Sequence, residues 1–374
     1  MTAVHSVILL FFLLMNYRIT YAQFGEVNVP DKVMEEIYAE IKTPYKYGLV
    51  IAPSHDSLAF DSPSVFRKGK YWYMTYIVYN GRGYETFIAK SKDLLHWENL
   101  GKIMSFSDSS YWDSNQKAGY VALQDYEWGG SYGLQRYNGS YWMSYLGGHT
   151  SGYEAGVLSI GMAYTKKDPA ALKEWQRISK PVLTIYDKDA GWWDNITLYK
   201  SNVIWDKSNT IGYPIVMYYN AKGISGVNKD HHAERIAMAV SEDMIHWKRF
   251  GEGPVLDHHQ GITGDPFITR INKIWVMFYF GAWWGPTKGA FNRFACSNDL
   301  IHWTDWKGPN LIEPSELYDN QYAHKSSVVK HNGIVYHFYC ATNNANQRGI
   351  AVATSKDLGQ SPVHFVHNPS IGGR

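Results

Sequence analysis

Five times along the chain, a polar cluster leads into a short apolar strand, a turn, and a second strand rich in Tyr, Trp and Phe. The copies begin near Asp61 (DSPSVFRKGKYWYMTY), Ser131 (SYGLQRYNGSYWMSY), Lys200 (KSNVIWDKSNTIGYPIVMYY), Asp265 (DPFITRINKIWVMFYF) and His324 (HKSSVVKHNGIVYHFYC). Three copies close on nearly the same signature, Ser91-Lys92-Asp93-Leu94-Leu95-His96-Trp97, Ser241-Glu242-Asp243-Met244-Ile245-His246-Trp247 and Ser297-Asn298-Asp299-Leu300-Ile301-His302-Trp303. A fourth, Ser355-Lys356-Asp357-Leu358, is truncated, and the second is degenerate, with Asp168 and Trp175 separated by an insert. Repetition at this period is the mark of propeller blades. The chain is therefore expected to be all-β, a five-bladed β-propeller with a short N-terminal helical extension. In such a fold the inner strands all begin on one face, around one central pocket.

Composition narrows the function. The net charge is +2 with no Lys/Arg run, which argues against a nucleic-acid partner. Aromatic residues make up 16%, enough to fill the space between blades and to leave some rings for stacking on sugars. Residues 7–15 (VILLFFLLM) are too short to span a bilayer and suit the apolar core of a signal peptide. Small residues at Thr20 and Ala22 place cleavage after Ala22, so the mature protein is expected to be secreted or periplasmic, with no membrane span. Cys296 and Cys340 lie in apolar strand sequences and read as buried, unpaired thiols, although an exported protein could pair them.

Residues 33–41 carry Val33, Ile37 and Ile41 on one helical stripe, between a Pro30-Asp31 start and a Pro44 stop. The expected organisation is a signal peptide at 1–22, a helical extension at 23–46 and the propeller at 47–374. Residues 47–52 (YGLVIA) are expected to complete the last blade beside residues 349–354.

The mouth of the propeller collects two sets of residues. Inner-strand starts offer Asp61, Trp128, Lys200, Asp265 and His324; third-strand starts offer Glu154, Glu234, Arg235, Arg293 and Arg348. Paired carboxylates with a titratable partner are what glycosidic cleavage needs: one group to activate water or attack, one to protonate the leaving oxygen. Asp61 could instead cap a turn, but an Asp before Pro recurs at Asp265. The Asp of each blade signature (Asp93, Asp243, Asp299) reads as structural, as do His96, His246 and His302. Arg235, Arg293 and Arg348 could bind substrate or simply pair with the glutamates.

Asp61 in Asp-Ser-Pro-Ser-Val-Phe, the Gly83-Tyr84-Glu85-Thr86 turn, the blade signatures and Gly264-Asp265-Pro266 resemble the five-bladed propeller glycoside hydrolases of families 43, 32, 130 and 117. The resemblance covers residues 33–358. The short helix before Thr43-Pro44-Tyr45-Lys46-Tyr47-Gly48 and the late His are most similar to the family 117 type, whose members act on anhydrogalactosides from agar. It implies Asp61 as general base, Asp265 as supporting carboxylate and His324 as the proton donor, with Glu154 or Glu234 as alternatives for that last role. From their places at the mouth, Glu154, Glu234, Arg235, Arg293, Lys200, Arg348 and Trp128 are expected as substrate contacts; no cofactor is expected to be required, and the resemblance is compatible with a metal ion in the central channel and implies a homodimer built by exchanged N-terminal helices. The expected activity is exo-acting, inverting hydrolysis of a plant or algal oligo- or polysaccharide. A phosphorylase of the family 130 type would need a phosphate site among Lys200, Arg293, Lys325 and Arg348. A carbohydrate-binding propeller without activity would need no Asp61/Asp265 pair.

Overall fold

The computed structural model describes residues 27–226, 232–283 and 289–366. The signal-peptide segment and its cleavage point lie outside the described residues. Five antiparallel blades follow one another. Blade one is β2 (Ala59–Lys68), β3 (Tyr71–Tyr79), β4 (Tyr84–Ser91) and β5 (Trp97–Met104); blade two is β6 (Gln116–Val121), β7 (Tyr141–Gly148), β8 (Leu158–Thr165) and β9 (Gln176–Arg177). Blade three is β10 (Thr197–Trp205), β11 (Ile215–Lys222), β12 (Glu234–Ser241) and β13 (Trp247–Arg249); blade four is β14 (Ile262–Ile271), β15 (Ile274–Ala282), β16 (Phe291–Ser297) and β17 (Thr304–Asp305). Blade five, β18 (Tyr322–His331), β19 (Ile334–Thr342) and β20 (Arg348–Thr354), is finished by β1 (Tyr45–Ile51) from the other end of the chain, which pairs antiparallel with β20. This is the expected closure, and it joins the two ends of the ring. At the mouth, single parallel bridges join the third strand of one blade to the first strand of the next, at Tyr84 with Gln116, Glu234 with Ile262, and Ala290 with Tyr322.

The blade signatures are turn-formers. Asp299 Oδ1 accepts the Ile301 and His302 amides at 2.9 and 2.8 Å, its Oδ2 pairs with His302 Nδ1 at 2.7 Å, and Ser297 Oγ accepts the Leu300 amide at 2.9 Å. Asp93 and Asp243 repeat the arrangement. The Asp side chain replaces the partners the strand has lost, which is why the motif recurs at blade ends and not at the mouth.

Blade two departs from the sequence reading. Its inner strand is Gln116–Val121, ahead of the copy that begins near Ser131, and the start of that copy is not an inner strand. Residues 122–135 instead cross the far end of the channel. The Leu123 amide bonds Val203 O, the Arg270 amide bonds Tyr126 O, the Arg67 amide bonds Tyr132 O, and the Lys330 amide bonds the Tyr132 hydroxyl, all within 2.8–2.9 Å. The far ends of four inner strands thus find their missing partners in one excursion, which caps the channel there.

The helix spans Asp31–Ile41. Met34, Ile37 and Ile41 form its buried stripe, with Val33 at the flank rather than the centre. The stripe packs on blades four and five of the same chain, among Val276, Phe294 and Val328. Tyr38 stacks on Trp306 with ring centroids 5.0 Å apart, and Glu40 binds Lys330 and the Trp128 indole. The chain fills this groove itself, so burial of the stripe does not require the exchanged helix of a second copy.

Candidate active site

The inner strands of blades one, four and five share a device at the mouth. Each has a bulge, between Asp61 and Ser64, Gly264 and Phe267, and His324 and Ser327. The first residue inside each bulge takes left-handed backbone, with φ of 48° at Ser62, 54° at Asp265 and 65° at Lys325. Bulges re-aim side chains beside active sites, and left-handed non-glycine residues gather where function demands them. The register also shows that Asp61 and Asp265 are not equivalent: Asp61 matches Gly264 and His324, whereas Asp265 matches Ser62 and Lys325.

A cavity of about 290 Å³ opens at this mouth. Asp61, Lys200, Asp265, His324, Glu154, Glu234 and Arg348, all expected there, do line it. So do Lys325, Lys222, Asn220 and a wall of tyrosines that includes Tyr84, Tyr120, Tyr153 and Tyr199. Three expected contacts are elsewhere. Trp128 lies in the capping excursion beside the helix, its indole N–H 2.7 Å from Glu40 Oε1. Arg235 is fully buried, with Nε 2.9 Å from Asp257 Oδ2 and Nη1 2.9 Å from Gly223 O. Arg293 points away from the cavity to Asn310 Oδ1 at 2.8 Å and to Trp306 O. In a strand, successive side chains alternate faces: Glu234 reaches the mouth, so Arg235 must turn into the blade. Asn220 and Lys222 escape a reading of strand starts, because they sit at the end of strand two, which also meets this face.

The carboxylates occupy very different surroundings. Asp61 is buried at 3% exposure, its Oδ2 2.7 Å from Arg348 Nη1 and 3.0 Å from Lys325 Nζ, its Oδ1 2.6 Å from the Ser62 amide. Burial alone would raise its pKa, but the Lys325 and Arg348 charges outweigh it and hold the carboxyl far below the usual range. A carboxylate so stabilised is a poor proton acceptor.

Glu234 behaves in the opposite way. Its Oε1 lies 3.0 Å from Lys222 Nζ and its Oε2 2.8 Å from Asn220 Nδ2. Burial, helped by the neighbouring Glu154 charge, outweighs these partners and pushes it up to about 7. Glu154, on left-handed backbone with φ 48° in the loop between β7 and β8, accepts the Tyr84 hydroxyl at 3.1 Å. The cavity thus holds two carboxyl groups, and the Glu154 charge adds to the upward shift of Glu234.

His324 is a further titratable group of the inner-strand starts, at 6% exposure. Its Nδ1–H donates to Cys340 O at 3.2 Å, and burial with the adjacent Lys325 ammonium holds it down to about 3.

Cys296 and Cys340 are both free and buried. Among the described residues no group of three or more His, Cys, Asp or Glu side chains is arranged to hold a metal ion.

No protein-family model matches the sequence, and no curated protein is significantly similar to it. Solved structures are. One, a complex of BT0996 with RGII, superposes with a TM-score of 0.88 and 51% identity, covering 91% of this chain and 99% of that one. A second, described as "Glycoside hydrolase", gives a TM-score of 0.88 and 50% identity over 91% of this chain and 99% of that one. A thermostable family-43 glycoside hydrolase shares the fold at 16% identity, with a TM-score of 0.58 over 83% of this chain and 96% of its own. Identity of this size across almost the whole of the first two structures places this chain in their family, as a β-propeller glycoside hydrolase that cleaves glycosidic bonds.

Proposed function

We propose that the chain releases a terminal sugar from RGII, the plant-derived glycan in complex with which its 51%-identical relative was solved, with Glu234 as proton donor and Glu154 as the second carboxylate. The observation that carries this reading is the carboxyl pair in one capped cavity, with Glu234 pushed up to about 7. Glu234 protonates the glycosidic oxygen as the bond to the anomeric carbon breaks. Glu154 takes a proton from the attacking water or attacks that carbon itself, and the separation of the two groups in the substrate-bound enzyme decides which. Asp61 then has an electrostatic role: it holds Lys325 and Arg348 in place. The inverting outcome rests on an Asp61 base, and it loses that support with the change of role.

Exo action is favoured because residues 122–135 close the far end of the channel, so a polysaccharide cannot thread through. Phosphorolysis is disfavoured because Arg293 lies outside the cavity, Lys325 and Arg348 are engaged by Asp61, and Lys200 is accompanied by the Asp265 charge, which repels an anion. The test is digestion of RGII oligosaccharides by the purified protein, with products separated by chromatography. Release of a monosaccharide without inorganic phosphate is expected. No released sugar, or release that requires phosphate, would end this reading.

A further inference from the structure

Two charged groups in the cavity lack a charged partner among the described residues. Lys200 enters from β10 at 5% exposure and Asp265 from β14 at 4%. Among the described residues, neither Lys200 Nζ nor Asp265 Oδ2 makes a hydrogen bond. The ammonium lies 5.4 Å from the centroid of the Tyr120 ring. Burial pulls the Lys200 pKa down and the Asp265 charge opposes this, so the two groups sense each other without touching. Lys325 and Arg348 are the contrast, since both bind Asp61. Buried polar atoms are nearly always satisfied, and an uncompensated buried charge is costly. An orphan ammonium beside an orphan carboxylate oxygen is therefore a site prepared for something.

The pair is also fixed relative to the proton donor. Asn220 Nδ2 lies 2.8 Å from Glu234 Oε2 and 3.5 Å from Asp265 Oδ1, so one amide spans both carboxyls. The left-handed backbone at Asp265 aims its side chain at the cavity.

We propose that Lys200 and Asp265 form the recognition subsite for the terminal sugar, Asp265 accepting from one ring hydroxyl and Lys200 donating to the adjacent one. The inference rests on the glycosidase reading. A hydroxyl pair answers both groups, because each hydroxyl donates and accepts. An anionic group would satisfy Lys200 but meet repulsion from Asp265. A methyl or acetyl group on the oxygen facing Asp265 removes the donor. The enzyme then takes only terminal sugars with two adjacent unsubstituted hydroxyls.

The test is calorimetric titration of the wild-type protein, Lys200→Met and Asp265→Asn with the monosaccharide that the wild type releases from RGII oligosaccharides, repeated with inorganic phosphate. Thermal midpoints are measured on the same samples. Each variant is expected to bind the sugar about tenfold or more weakly, the loss typical of a hydrogen bond to a charged group. The thermal midpoints verify that each variant is folded at the temperature of the titration. Sugar binding unchanged in Lys200→Met overturns the subsite, as does phosphate binding that is tight in wild type and lost in that variant. A wild-type protein that releases no sugar sinks the glycosidase reading first, and the subsite with it.

Discussion

Arg348 stands 287 positions after Asp61 in the chain, yet its Nη1 lies 2.7 Å from Asp61 Oδ2. Lys325, 264 positions after Asp61, completes the cluster at 3.0 Å. This contact seals blade one against blade five, where the ring closes, and it determines what Asp61 can do. The two ion pairs tie the ends of the ring together through one buried carboxylate.

Asp61→Asn should therefore destabilise the fold. Breaking a buried ion pair by removing one partner typically costs about 3–5 kcal/mol, because the remaining charges stay buried and uncompensated. Denaturant unfolding monitored by tryptophan fluorescence checks it. Near wild-type stability with turnover abolished would restore Asp61 as the base.

The pH profile should report Glu234. Its folded pKa is raised to about 7, so as an acid it works in the protonated form, and kcat/KM should fall as pH rises through about 7. The same shift acts on stability. Because the folded value lies above the unfolded one, its contribution is full below about 4.5 and is lost as pH rises through about 7. Glu234→Gln should abolish the alkaline limb of activity and flatten stability across that window. Stability that falls equally steeply in the variant would assign the window to another group.

Asp299→Ala separates frame from chemistry elsewhere. The side chain caps two amides and the His302 ring. Losing it should cost about 1–3 kcal/mol in unfolding experiments, while kcat and KM stay at wild-type values. A large fall in kcat in a folded variant would contradict a purely structural blade end.

The cap on the channel predicts the product pattern. Tyr132 accepts the Lys330 and Gly129 amides at 2.8 and 2.9 Å and anchors the excursion. With this end closed, a time course on RGII oligosaccharides should show one released sugar and a substrate shortened by one unit from the first minutes. An early ladder of intermediate lengths would mean that the glycan binds across the mouth of an endo-acting enzyme.

The ring was legible because four blades keep the same sequence logic of apolar strand, aromatic strand and Ser-x-Asp turn. Blade two was not, because residues 122–140 separate its inner strand QKAGYV from the second strand at Tyr141–Gly148 and break the strand-turn-strand spacing, while the tight turn from Tyr137 to Ser140 imitates a blade hairpin. At the mouth, the gathering of Asp61, Asp265 and His324 could be read from strand starts. Their chemistry could not. It depends on Lys325, Arg348 and Lys222, whose placement opposite particular carboxylates is set by tertiary register. The Asp-Pro echo between Asp61 and Asp265 misleads because Asp61 stands two residues before its Pro and Asp265 only one, so the two aspartates occupy different positions around the same bulge.

The most direct test of the central claim is steady-state hydrolysis of RGII oligosaccharides by Glu154→Gln and Glu234→Gln beside the wild type, with folding verified by circular dichroism. If these two carboxyls carry the chemistry, each folded variant should lose about 10²–10⁴-fold in kcat, the usual worth of a positioned acid or base. A folded variant of either residue that turns over at the wild-type rate would contradict the assignment and return the chemistry to Asp61 and its neighbours.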